Sequence, residues 1–310
     1  SYKGKMDKIK KFIFLSILVF VLQNACITKT NFVFCEPKDE LEFVLQGIRY
    51  NLSLIQDASV EFELTYKNSK EIKSGKWFYK DGKEKVFLKA VDESKNINEI
   101  IYIYTPENTY IINFEKGKIA SVTMGYSPYY IQLKIRPTWV PSSILFHLWP
   151  VGITLEEILQ NEKLKILSNS EYFAGSKCFV VEVPSFGFKE FKGYGKDDYS
   201  YLGYKIWFSV EEGFLPKKIE IYRQEDLIIS VGPINFEKFS IDKDIWFPGG
   251  VSIKWYDPSS KKISAEGKMV YSNIKVNQGI KDEEFNLTFP PGTQVYDERT
   301  GISFTVPEKN

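Results

Sequence analysis

One His and three scattered Cys in 310 residues are too few for a His-rich or Cys-rich zinc site. No GxSxG, HExxH or P-loop pattern occurs, and Gly193-Tyr194-Gly195 lacks the third glycine and the strand-to-helix setting of a dinucleotide loop. Charge of one sign is also missing. The 41 Lys+Arg balance 40 Asp+Glu, so a net charge of +1 gives no electrostatic reason to expect nucleic acid. The apolar run at 12–22, FIFLSILVFVL, stops at Gln23, well short of the roughly 20 residues a helix needs to cross a bilayer. What the chain does have is 43% hydrophobic and 16% aromatic residues, which excludes disorder and allows a sizeable core. The length suits one large all-β or α+β domain, or two small ones.

Residues 1–35 differ from the rest. Ser1 to Lys5 precede the first Met. From Met6, Lys8, Lys10 and Lys11 precede the apolar run and a polar stretch follows it, the order of a secretory signal. Cys26 follows Leu22-Gln23-Asn24-Ala25 and is the candidate for lipidation, although Gln23 stands where a lipobox has an aliphatic residue. Val33-Phe34-Cys35 could instead be an ordinary cleavage site. Either way the chain is expected to be exported, with residues 36–310 as a single domain in the periplasm or cell envelope. That domain holds 35 basic and 39 acidic residues, a mild acidity, and Cys178 alone among cysteines, in an apolar alternation that predicts a buried inert thiol.

Pro37 opens a helical pattern in which Leu41, Val44, Leu45, Ile48, Leu52 and Ile55 recur at three- and four-residue spacing. The period then changes to two: Val60, Phe62, Leu64 and Tyr66 alternate with Ser59, Glu61, Glu63 and Thr65 in a half-buried strand. Further strands are predicted at 76–79, 84–91, 100–105, 109–114 and 118–123, split by short turns, which reads as an antiparallel meander. A Pro-rich aromatic connection covers 125–141. Ser142-Ser143 can cap a short apolar helix, ILFHLW, and Thr154 with Glu157 forms a capping box before ILQ. A second group of strands is predicted at 163–170, 178–183, 204–210, 215–223, 227–231, 234–240, 245–256 and 262–276, then a tail from 285 to 306. Residues 185–203, rich in Gly, Tyr and charge, read as an exposed excursion. The order suggests one α+β domain whose sheet is completed by both halves.

Several of these segments resemble a known family. Tyr204-Lys205-Ile206-Trp207, followed by Glu212-Gly213-Phe214-Leu215-Pro216-Lys217-Lys218-Ile219-Glu220, resembles the signature hairpin of the LolA/LolB lipoprotein-carrier superfamily. Phe239 to Pro248 resembles its following hairpin, and Phe285 to Asp297 its ending. The match covers most of 36–306. The resemblance implies a strongly curved antiparallel unclosed β-barrel, a half-barrel, with an N-terminal helix and short central helices covering its concave face. It also implies a cavity between sheet and helices that holds acyl chains. A carrier of that kind is no enzyme and uses no cofactor or metal.

On this reading the cavity lining comes from one parity of the early strands and from the central helix: Phe62, Leu64, Trp77, Ile101, Ile103, Ile112, Ile144, Leu145, Leu148 and Trp149. The bland alternative is a filled core, since apolar periodicity marks burial and says nothing of cavities. His147 has no fixed partner in sequence and reads as a packed side chain rather than a base. Asp197-Asp198, Glu211-Glu212 and Asp282-Glu283-Glu284 read as solvated turn residues. The aromatic residues at 126–139 and the tyrosines at 194–204 suit a cavity rim, a membrane interface or a protein partner as well as ordinary packing. The function expected is therefore non-covalent carriage of lipid or lipoprotein acyl chains. Two alternatives stay open. One is a periplasmic sensor or regulatory module on the same fold that binds an envelope protein; the other is a structural envelope protein with a filled core. Membrane contact would be peripheral or through a lipid on Cys26.

Overall fold

A computed structural model describes residues 40–67, 69–91, 96–105, 108–115, 118–125, 141–148, 153–161, 163–187, 201–240 and 244–307. The leader with Cys26, Trp149, and the stretches at 126–139 and 188–200 lie outside the described residues.

Helix α1 spans Glu40–Ser53 and starts three residues after Pro37. The predicted stripe is the buried one, with Val44, Leu45 and Ile48 facing the sheet while Glu42, Gln46 and Arg49 stay outward. Gly47 sits against Phe214, where a Cβ would come within 2.2 Å of the ring, so only glycine permits that approach. Asn51, buried at the end of the helix, is satisfied by the backbone of Trp246: its Nδ2 donates to the carbonyl and its Oδ1 accepts from the N–H.

Strands β1 (Asp57–Tyr66), β2 (Ile72–Lys80), β3 (Lys83–Val91), β4 (Ile97–Tyr104), β5 (Thr109–Glu115) and β6 (Lys118–Gly125) form the expected antiparallel meander. After the short helix α2 (Ser142–Leu145), β7 (His147–Leu148) pairs with β8 (Ile153–Thr154) as a separate ribbon. The sequence predicts helix on through ILFHLW, and the structure corrects this. One apolar turn has too few hydrogen bonds to sustain itself, and the chain gains ladder bonds with β8 instead. Helix α3 (Leu155–Leu159) carries the predicted capping box: the Glu157 N–H donates to Thr154 Oγ1, and the Thr154 N–H donates back to the Glu157 carboxylate.

The second group comprises β9 (Lys165–Phe173), β10 (Ser176–Gly187), β11 (Tyr201–Ser209), β12 (Leu215–Arg223), β13 (Asp226–Ser240), β14 (Asp244–Tyr256) and β15 (Ile263–Val276). β13 is continuous where two strands are predicted, because pairing with β14 absorbs Gly232-Pro233 through a register shift. β10 and β11 extend into 185–187 and 201–203, so the predicted excursion is shorter than its composition suggests. A 3-10 turn at Asp282–Phe285 precedes β16 (Gln294–Asp297) and β17 (Ile302–Thr305).

Among the described residues, fifteen strands make one sheet in the order β17-β16-β6-β5-β4-β3-β2-β1-β15-β14-β13-β12-β11-β10-β9. The halves meet where β1 pairs with β15, placing Phe62 opposite Tyr271 and Leu64 opposite Met269. Among the described residues the sheet does not close, with β17 and β9 at its two edges. Helices account for few residues, and among those described none is long and apolar enough to cross a membrane.

The register assigns every side chain to one of two faces. Val60, Trp77, Val86, Tyr102 and Ile111 occupy one cross-strand row, and Val183, Tyr204, Ile221, Ile229 and Trp255 another. Both rows belong to the main core, which α1, α2 and α3 share. We call this the interior face. On the back face lie two small clusters: Ile112, Val122 and Val295 near the C-terminal tail, and Cys178, Val180 and Trp207 near β9.

The sheet bends over the interior face. Trp77 on β2 and Phe247 on β14 stand three strands apart, roughly 14 Å in a flat sheet at ordinary strand spacing. Their ring centroids are 6.1 Å apart. Side chains standing perpendicular to a flat sheet would not meet.

Candidate functional site

The candidate site is built on the interior face around Trp77. The indole is fully buried, and its Nε1–H donates to Glu84 Oε2 at 3.0 Å. It stacks on Tyr79 with 5.9 Å between centroids, and Tyr79 in turn stacks on Phe146 at 4.5 Å, just past the end of α2. Each ring reaches the next because i and i+2 on a strand share a face, so Trp77 and Tyr79 stand side by side. Phe62 lies over Gly75, where a Cβ would meet the Phe87 carbonyl at 2.0 Å and the Phe62 ring at 2.6 Å. The glycine gives that ring its floor. On the outer side, Arg49 of α1 binds Glu156 of α3 and ties the two helices together; the same bond holds the Glu156 carboxyl below its ordinary pKa.

Of the ten predicted lining residues, the structure brings Phe62, Leu64, Trp77, Ile144 and Leu145 into the same interior cluster. Ile101, Ile103 and Ile112 are not with them. The ladder that sets Val86 opposite Tyr102 turns Tyr102 and Tyr104 inward and sends Ile101 and Ile103 to the back, with Ile112 directly opposite Ile101. The expectation of a single parity therefore needs correcting for β4 and β5. The reason is local: Ile100, Ile101, Tyr102, Ile103 and Tyr104 are apolar at every position, so no alternation marks an inner side. Leu148 lies on β7 and its side chain, like Trp149, is outside the described residues.

The sequence reading missed a set of interior tyrosines. Tyr102, Tyr104, Tyr204 and Tyr271 are all buried in the main core. Burial pushes the Tyr102 phenol up to about 12, and pushes Tyr104, Tyr204 and Tyr271 further upward, so all four are neutral at physiological pH. Phe146 and Phe247 were missed as well. The signal available for Tyr79 was its spacing of two from Trp77; Phe247, which meets Trp77 only through the bend, had none.

Elsewhere the chemistry is structural. Cys178 is fully buried on the back face, and burial pushes its thiol up to about 11, which makes it the inert group expected. Trp207 beside it donates to Glu171 at 2.8 Å, with the ammonium groups of Lys218 and Lys205 at 4.2 and 4.6 Å from its ring centre. A groove of about 290 Å³ beside Gly267 is ringed by Lys67, Lys254, Glu266 and Lys268, a charged setting unlike the interior.

The fold and site define an unclosed sheet, antiparallel except where β16 joins β6, bent over an apolar, aromatic-rich face that also carries helices. No protein-family model matches the sequence, and no curated protein matches it. Solved structures similar to it include a protein domain described as outer membrane lipoprotein-sorting, from Vibrio parahaemolyticus, at 13% identity and a TM-score of 0.48, covering 80% of this chain and 97% of that one. A DUF1329 family protein from Desulfovibrio piger gives 14% identity and 0.45, over 78% of this chain and 97% of its own. The lipoprotein LppX of Mycobacterium tuberculosis gives 10% and 0.33, over 78% and 97%.

Proposed function

We propose that the protein carries a hydrophobic ligand, a lipid or the acyl part of a lipoprotein, non-covalently between the interior face and its helices, in the cell envelope after export. The observation that carries this reading is the bent interior face, where Trp77, Tyr79, Phe146 and Phe247 converge from β2, β14 and the end of α2. A concave apolar face of this kind suits an acyl chain because each buried methylene contributes about 0.8 kcal/mol without any polar contact. Phe62, Leu64, Trp77, Ile144 and Leu145 are the proposed lining, with Tyr102 and Tyr104 in place of Ile101 and Ile103. Binding would need no bond-making step, only entry of the chain and its seclusion from water.

The test is mass spectrometry of an organic extract of the purified chain, together with a Leu145→Trp variant. A lipid at near one per protein, reduced by Leu145→Trp in a protein that still unfolds cooperatively, is the expected result. An extract without lipid, from a protein that ignores fluorescent fatty-acid probes and is strongly destabilised by Leu145→Trp, would mean a filled core.

A further inference from the structure

Among the described residues, two buried hydroxyl groups on the interior face have no hydrogen-bond partner. Tyr204 on β11 is fully buried and shares its ladder row with Val183 and Ile221, so its side chain points inward with theirs. Its phenolic oxygen has no hydrogen-bond partner among the described residues. On the other half of the sheet, Thr109 is also fully buried, stands opposite the interior Tyr104, and has an unpartnered Oγ1.

Stranding a donor in an apolar interior is unfavourable, and native proteins rarely keep one without a water or ligand to receive it. Phenylalanine would fill the space at position 204 without that cost. The chain uses it freely on this face, at Phe208 and Phe247. Tyrosine at 204 differs only by its hydroxyl, so the hydroxyl is the part in need of a reason. Burial keeps the phenol protonated, and therefore able to donate.

Building on the carrier reading above, we propose that the Tyr204 hydroxyl donates a hydrogen bond to a carbonyl oxygen of the cargo, which makes that cargo an acyl ester rather than a bare hydrocarbon. A carbonyl that leaves water for a dry interior loses its own hydrogen bonds, so donor and acceptor each relieve the other. Thr109 offers the same service at a second position. Apolar contact supplies the affinity, and the buried hydroxyl selects chains that bring an acceptor with them.

The experiment uses the full chain and displacement of N-phenyl-1-naphthylamine by methyl palmitate and by hexadecane. The ratio of their midpoints is compared between wild type and Tyr204→Phe, so that the different solubilities of the two compounds cancel. Expected is an ester preference about fivefold larger in wild type than in Tyr204→Phe, the factor a neutral hydrogen bond gives. Equal ratios in two proteins that both bind the probe would overturn the inference and leave the carrier reading standing; the hydroxyl would then hold a buried water. Failure of wild type to bind any of the three compounds would overturn the carrier reading, and this inference with it.

Discussion

If the sheet bends as the rings require, Trp77 and Phe247 should be energetically coupled although three strands separate them. Trp77 is fully buried between Tyr79 and Phe247, and Phe247 is itself fully buried, with Phe239 edge-on at 6.4 Å. An aromatic side chain of this size buries up to about 250 Å², which at about 25 cal/mol per Å² sets an upper bound near 6 kcal/mol. Large-to-small replacements in cores cost about 3–5 kcal/mol, so Trp77→Ala and Phe247→Ala should each fall in that range. Trp77→Phe separates the ring from its donor: it removes the bond to Glu84 while keeping an aromatic body, and should cost about 1–2 kcal/mol. The decisive quantity is the double-mutant cycle. Rings in contact couple by about 0.5–1.5 kcal/mol, whereas sites on distant strands add independently to within about 0.5 kcal/mol. Urea unfolding of the four proteins supplies the numbers, with an unchanged slope as the check on two-state behaviour. Additive losses would refute the bend, and with it the concave face on which the proposed function rests.

Three further outcomes follow from the same packing. Gly75→Ala should destabilise by about 1–3 kcal/mol in the same urea assay, since the added Cβ meets a backbone carbonyl that cannot move aside; a neutral result would mean that Phe62 does not lie over β2. The Arg299 guanidinium holds the Asp297 carboxyl below the usual carboxylate range, so its contribution is present above the unfolded value of about 3.9 and is lost as pH falls through the lower folded value. The stability gap between wild type and Asp297→Asn should therefore be full at pH 6–7 and shrink on acidification below about pH 4; a gap that stays constant to the lowest pH measured would refute the pairing. Cys178 should resist alkylation in the native chain and react once urea unfolds it, as read by peptide mass mapping, and rapid native labelling would contradict its burial.

Much of the fold was legible wherever one periodicity dominated. The stripe Val44, Leu45, Ile48 places α1 against the sheet, and the alternation from Val60 to Tyr66 puts β1 in the right orientation, because each has one apolar side and one polar side. Turn residues marked the meander equally well, with the Asp81-Gly82 turn joining β2 and β3 through left-handed backbone at both positions. Legibility failed where local pattern was silent and tertiary pairing decided. ILFHLW reads as helix from its apolar run alone, yet His147–Leu148 are taken into a ribbon by a partner that only the folded chain supplies. Gly232-Pro233 reads as a break because proline cannot donate to a ladder, yet a register shift carries β13 through it. Trp77 could be named from sequence as a lining residue, but the partner that makes it informative, Phe247, lies 170 positions away and meets it through curvature.

The strand in which the inward side could not be read is also the one whose two faces have different covers. Ile101 on β4, Ile112 on β5 and Val122 on β6 form a row on the back of the sheet, and β16 extends that row by pairing parallel with β6 and setting Val295 opposite Val122. Leu287, Phe289 and Val306 of the tail complete the cluster. On the other face of β4, Tyr102 and Tyr104 join the main core. Unbroken hydrophobicity from Ile100 to Tyr104 is thus the mark of a strand buried from both sides, as in sheets covered on both faces. Ile101 is thus engaged by the chain's own C-terminal segment, while Ile100 packs against the main core with the tyrosines. On the proposed function, the lining that β4 supplies is therefore the tyrosine-bearing side, aromatic with polar tips rather than purely aliphatic. That shift is the physical reason to expect a cargo with oxygen atoms among its methylenes.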